Sequence, residues 1–203
     1  CDLTTGKRGE RCPDAFVLSR RDGGLRARVC YSACMLTLYG NANSRAFRCL
    51  WMLEELGLEY QHIPTDYLRG AKEPAYLRLN PNGRIPCLVD GEFVLFESLA
   101  INLYLARRAQ SPLWPTAVHD EARMLQWTLW ATNELDPLLG VLSRQLRLSE
   151  AERSANRVEV AAAAAALAAP LRVLDTQLTS SPYLLGAEFS LAAACRAQRS
   201  WRR

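Results

Sequence analysis

The chain has 203 residues, 49% hydrophobic and 23% charged, a balance that allows a buried core without disulfide or metal staples. The net charge of +4 sits at the ends: residues 1–34 carry +3 and residues 191–203 carry +4, leaving −3 on residues 35–190 with no basic stripe for a nucleic acid. No apolar run reaches the roughly 20 residues that span a bilayer, and "AFVL" is shorter than the ~7–15 residues of a secretory signal core, so the expected setting is cytoplasmic, away from membranes.

Residues 1–34 mix Gly, Arg and Cys with no period of 2 or 3.6, and are expected to form an irregular extension. "MLTLY" (35–39) reads as a short strand and "GNAN" as a turn. From Ser44 the apolar residues Phe47, Leu50, Trp51, Leu53 and Leu58 recur at helical spacing, with a stop near Gly57. "EYQHIP" reads as a second strand and Ala71 to Leu79 as a short helix. Asn80, Pro81, Asn82 and Gly83 are turn formers, and Cys87 to Asp90, Gly91 and Phe93 to Phe96 then make a hairpin. Pro86 stands at its entrance, where a residue without an N–H leaves backbone groups unpaired and open to a ligand. A helix from Ser98 through Arg108 completes the order βαβαββα over residues 35–110.

After the proline-bearing "AQSPLWP" the pattern turns wholly helical, giving a second domain over residues 111–190. Three segments are expected there: His119 to Leu139, the Ala-rich Ser149 to Ala169, and one opened by Pro170 that reaches Leu178. Residues 191–203 read as an atypical basic tail.

The element order, with "LYGNANSRAFRCLWMLEELGLEY", "NPNGRIPCLVDGEFVLFESLAINLYLA" and "SPYLLGAEFSLA", resembles the cytosolic glutathione S-transferases, in a bacterial-type, serine-like form. The resemblance runs from Met35 to about Leu191. It implies a thioredoxin-like α/β domain, an all-α domain, a homodimer, and conjugation of the thiol of glutathione, as co-substrate, to a small electrophile. It also implies a cis Pro86 that turns the Ile85 backbone toward the cysteinyl part of glutathione, so that the ligand pairs like an added strand. Glu97 and Ser98, between a strand and a helix, would meet the γ-glutamyl ammonium and carboxylate. Lys72 and Arg84 are both candidates for the glycine carboxylate.

The catalytic group of such a protein lies at the N-terminus of the first helix, where a hydrogen-bond donor favours thiolate. Ser44 offers a hydroxyl and Asn43, in the slot where serine is usual, an amide; both remain candidates. Cys49 and Cys87 sit away from that terminus and read as small core residues. Trp127, Trp130 and Asn133 could line an electrophile pocket, although aromatics at that spacing usually form core. Seven cysteines and only two histidines, His62 and His119, show no zinc spacing, and no metal is expected.

Two other functions fit the same residues: glutathione-dependent disulfide reduction or dehalogenation, and a non-catalytic or truncated protein of this fold. The closing "FSLAAACRAQRSWRR" has Ala193 where the resemblance implies the Asp of a Ser-x-x-Asp cap, and loses apolar period from Cys195. The ending is therefore expected to reflect truncation or a reading-frame change that leaves helices of the second domain uncovered.

Overall fold

The computed structural model describes residues 15–21, 24–30, 35–145 and 148–194. Two antiparallel strands open it, β1 (Ala15–Arg21) and β2 (Gly24–Cys30), paired from Ala15↔Cys30 to Arg21↔Gly24. This corrects the expectation of an irregular stretch here. The overlooked signals were the Asp22-Gly23 pair, a strong two-residue turn former, and the apolar–basic alternation from Leu25 to Val29. The rest of that extension lies outside the described residues.

A four-stranded sheet follows in the order β4-β3-β5-β6, from β3 (Leu36–Gly40), β4 (Tyr60–Pro64), β5 (Cys87–Asp90) and β6 (Phe93–Phe96). β3 and β4 run parallel because a helix, α1 (Ala46–Glu55), carries the chain across between them. β5 is antiparallel to both β3 and β6. Leu36, Leu38 and Leu88 are buried beneath α1 and α3 (Ser98–Arg108), with Met52 and Leu53 from α1 and Ile101 and Leu105 from α3. This is the expected thioredoxin-like arrangement.

The buried face of α1 is Ala46, Arg48, Cys49, Met52 and Leu53, rotated from the face its large apolar residues suggested. Leu50 and Trp51 are only partly buried, because Trp51 turns to Phe189, its ring 6.2 Å away edge-on. α1 stops as expected at Gly57, whose φ of +60 suits glycine: Gly57 N–H donates to the Glu54 carbonyl and Leu58 N–H to that of Leu53, closing a Schellman turn. The short helix expected before the hairpin divides into a 3₁₀ turn (Gly70–Lys72) and α2 (Pro74–Leu77). Glu73 between them is extended, as a residue preceding proline prefers.

The chain from α4 (Val118–Trp130) onward is helical: α5 (Asp136–Arg144), α6 (Glu150–Ala155), α7 (Arg157–Ala166), α8 (Ala168–Ser180) and α9 (Leu191–Ala194). The single segment expected from His119 to Leu139 is broken into α4 and α5 by a π-helical turn, Ala131–Leu135. Pro137 explains the break, since it has no N–H to continue an α-helical ladder. The Ala-rich segment is divided at Asn156, and its first part, α6, opens on a complete Ser149–Glu152 capping box. Residues beyond Ala194 lie outside the described residues, and with them the expected loss of apolar period. Among the described residues no helix is long and apolar enough to cross a membrane.

Candidate active site

Strand register brings the separate sequence motifs to one end of the sheet. Tyr39 pairs with Cys87 and Cys87 with Phe96, so Gly40, Pro86 and Glu97 follow or precede three neighbouring strands at the same edge. A β-carbon built on Gly40 would stand 3.7 Å from both Ile85 Cβ and Pro86 Cα, which places the start of β5 against the end of β3. The Ile85-Pro86 bond is cis. Ile85 stands outside the β3–β5 ladder, which begins at Cys87.

Two hydrogen bonds hold the residue before Ile85. Tyr76 Oη donates to the Arg84 carbonyl at 2.6 Å and Asn80 Nδ2 to the same oxygen at 2.7 Å. Asn80 is 2% exposed, and its side-chain oxygen accepts from Asn82 N–H, closing the turn that leads into the strand. Lys72 reaches this turn from the 3₁₀ segment, donating from Nζ to the Gly83 carbonyl at 2.6 Å. The Lys72 and Arg84 side chains are both exposed. Neither Tyr76 nor Asn80 was singled out from the sequence; "Asn-Pro-Asn-Gly" spoke only for a turn.

Glu97 closes β6 in an unusual backbone conformation, φ 75 and ψ 113, which a residue with a side chain adopts only when its surroundings impose it. Its carbonyl accepts the first helical bond of α3, from Ile101 N–H. No side chain caps α3 and no acidic residue stands in its first turn, so the first N–H groups of the helix are open to an anion. Ser98 at that turn is buried, while Glu97 is exposed. The Ser98 carbonyl accepts from Cys49 Sγ at 3.5 Å, fixing the start of α3 to α1.

Asn41 organises the turn between β3 and α1. Its carbonyl accepts from Ser44 N–H at 3.1 Å and from Ser44 Oγ at 2.7 Å, its side-chain oxygen accepts from Asn43 N–H, and its amide donates to the Thr65 carbonyl. Ser44 Oγ also accepts from Ala46 N–H at 3.1 Å, at the first residue of α1. Ser44 is half-buried and Asn43 exposed. Cys49 and Cys87 are fully buried, as expected of core residues, and burial pushes the Cys87 thiol up to about 11. Trp127 and Trp130 stack edge-on at 5.2 Å and pack on the core, whereas Asn133 is exposed in the π turn.

Among the described residues no group of three or more His, Cys, Asp or Glu side chains could hold a metal ion. An open groove of about 310 Å³ runs along α6 and α7 beside the end of α5, lined by Val160, Ala161 and Ala164 with Gln145, Arg153 and Arg157. It contains none of the residues gathered at the sheet end.

A four-stranded thioredoxin-like sheet with its covering helices, followed by an all-helical part, defines the fold class. Residues 35–107 match the model for the glutathione S-transferase N-terminal domain. Glutathione S-transferase 3 of Zea mays is 38% identical over 165 residues, covering 78% of this chain and 74% of that protein. The theta-class glutathione S-transferase of Xanthomonas axonopodis pv. citri, solved with glutathione bound, superposes with a TM-score of 0.73 at 35% identity, over 79% of this chain and 78% of that one. Elongation factor 1-gamma 2 of Oryza sativa subsp. japonica is 34% identical over 75% of this chain but only 36% of its own length. The chain belongs to the glutathione S-transferase family.

Proposed function

We propose that the chain is a cytoplasmic, homodimeric glutathione transferase that binds glutathione at the sheet end, favours its thiolate, and directs the sulfur at a small electrophile. The observation that carries the reading is the meeting at one edge of an unladdered Ile85, the uncapped start of α3 and the Ser44 hydroxyl ahead of α1. Glutathione's γ-glutamyl carboxylate takes the first N–H groups of α3 and the Ser98 hydroxyl, with Glu97 on its ammonium. Its cysteinyl backbone pairs with Ile85, and Lys72 or Arg84 meets the glycine carboxylate.

Ser44 is the better placed of the two thiolate donors. Its oxygen accepts from Ala46 N–H, which polarises the hydroxyl and strengthens it as a donor. Its proton, which it now gives to the Asn41 carbonyl, would turn to the ligand sulfur, and the N-terminus of α1 adds its positive end. The thiolate then forms a sulfur–carbon bond with the electrophile as the leaving group departs with the bonding pair.

The elongation-factor relative supports a second, non-catalytic reading. A panel of halogenated aromatics, epoxides, alkyl halides and disulfides, each incubated with glutathione and the purified chain, separates the readings. Thioether products support the transferase; disulfide reduction alone, or glutathione retention without turnover, overturns it.

A further inference from the structure

The Asp136 carboxylate, at the start of α5 in the helical part, is held by two guanidinium groups from the sheet part. Arg48 Nη2 donates to Oδ1 at 2.7 Å and Nη1 to Oδ2 at 3.2 Å, and Arg45 Nη2 lies 3.3 Å from Oδ2. The Arg48 and Asp136 side chains are 5% and 8% exposed, whereas Arg45 is half in solvent. A buried ion pair is a weak source of stability, because apolar residues of similar volume commonly serve as well. Its placement speaks for another role.

Arg45 follows Ser44 directly, and Arg48 lies on the same turn of α1. The Arg48 carbonyl accepts from Asn102 Nδ2 of α3 at 3.3 Å, and the next residue, Cys49, holds the Ser98 carbonyl. The turn that carries Ser44, the first residue of α3 and the first residue of α5 are thus tied through Arg45, Arg48 and Cys49, at the start of α1. Asp136 is the first residue of α5 after the π turn, its N–H donating to the Ala131 carbonyl, and Pro137 follows it directly.

We propose that Asp136 is a positioning residue that locks the Ser44 turn to the helical part, so that thiolate and electrophile are held in one frame. The proposal rests on the transferase reading above. Sub-ångström misplacement of reacting groups is costly even when the displaced group lies away from the chemistry. Loss of the lock lowers kcat while glutathione, bound by Ile85, Glu97 and Ser98 within the sheet part, keeps its KM.

Three variants of the full chain test this against wild type. Asp136→Asn keeps the shape and removes the charge; kcat should fall about 10- to 100-fold with KM for glutathione within about twofold of wild type. Arg48→Met with Asp136→Leu replaces the buried pair by apolar packing; its melting temperature should recover to the wild-type value while kcat stays low. Asp136→Glu, which keeps the charge, should restore part of the lost kcat. Wild-type kcat in Asp136→Asn or in a folded double variant would overturn the positioning role, as would a loss confined to KM. A wild-type chain that conjugates no electrophile would overturn the transferase reading, and this proposal with it.

Discussion

Gly40 and Ala46 approach so closely that a β-carbon on Gly40 would stand 2.5 Å from that of Ala46, nearer than real β-carbons come. Gly40 has a φ of +149, and its carbonyl accepts from Thr65 N–H at 3.2 Å and pairs with His62 Nε2 at 2.9 Å. The end of β3 is thereby held against the beginning of α1, and the five residues between them contain both thiolate candidates.

Gly40→Ala should therefore destabilise the chain by about 1–3 kcal/mol, through overpacking and an unfavourable φ together. Urea unfolding followed by tryptophan fluorescence measures this. A change within experimental error would mean that the α1 start shifts freely, and the fixed Ser44 geometry would lose its basis.

Ser44→Ala should raise the pKa of the bound glutathione thiol, because it deletes the donor that polarises toward the sulfur; one unit corresponds to about 1.4 kcal/mol of lost thiolate stabilisation. Asn43→Ala should leave that pKa near the wild-type value. Thiolate absorbance of the binary complex against pH reads both. The opposite pattern would transfer the role to Asn43.

Glu97→Ala removes the carboxylate assigned to the ammonium of glutathione, a charge-assisted contact worth about 1.5–3 kcal/mol. Retention on immobilised glutathione should fall by one to two orders of magnitude, with little change in melting temperature because the side chain is exposed. Glu97→Gln should fall less. Full retention by Glu97→Ala would remove Glu97 from the site.

The buried Cys87 thiol, pushed up from 9.0 to about 11, gives a pH dependence of definite sign. The native state keeps its proton more firmly than the unfolded chain, so this stabilisation is complete below pH 9 and is lost as the pH rises to 11. Between pH 8 and 11 the wild type should lose about 2–3 kcal/mol more unfolding free energy than Cys87→Ala. Parallel curves for the two proteins would show that Cys87 does not titrate as an enclosed thiol.

Local chemistry wrote much of this molecule into its sequence. Gly57 ends α1 because only a left-handed residue closes its Schellman turn, and the two short apolar runs on either side of Gly91 make the β5–β6 hairpin, with Pro86 standing just outside the ladder. Ile85 was marked by Pro86 beside it, which cannot join the ladder, whereas Glu97 and Ser98 carry no such local mark and were picked out by the family resemblance. Pro137 was equally visible, yet its effect was not, since a proline in a helical pattern can cap, kink or widen a turn and packing selects among these. Arg48 and Asp136 carry no local mark at all. They lie 88 positions apart, and an arginine among apolar residues reads as a solvated charge until a carboxylate is folded onto it. Asn102, fully buried, is the same case, as is the choice of which α1 face meets the sheet. Those were decided by tertiary packing alone, because a buried polar group is tolerable only where a distant part of the chain supplies its partner.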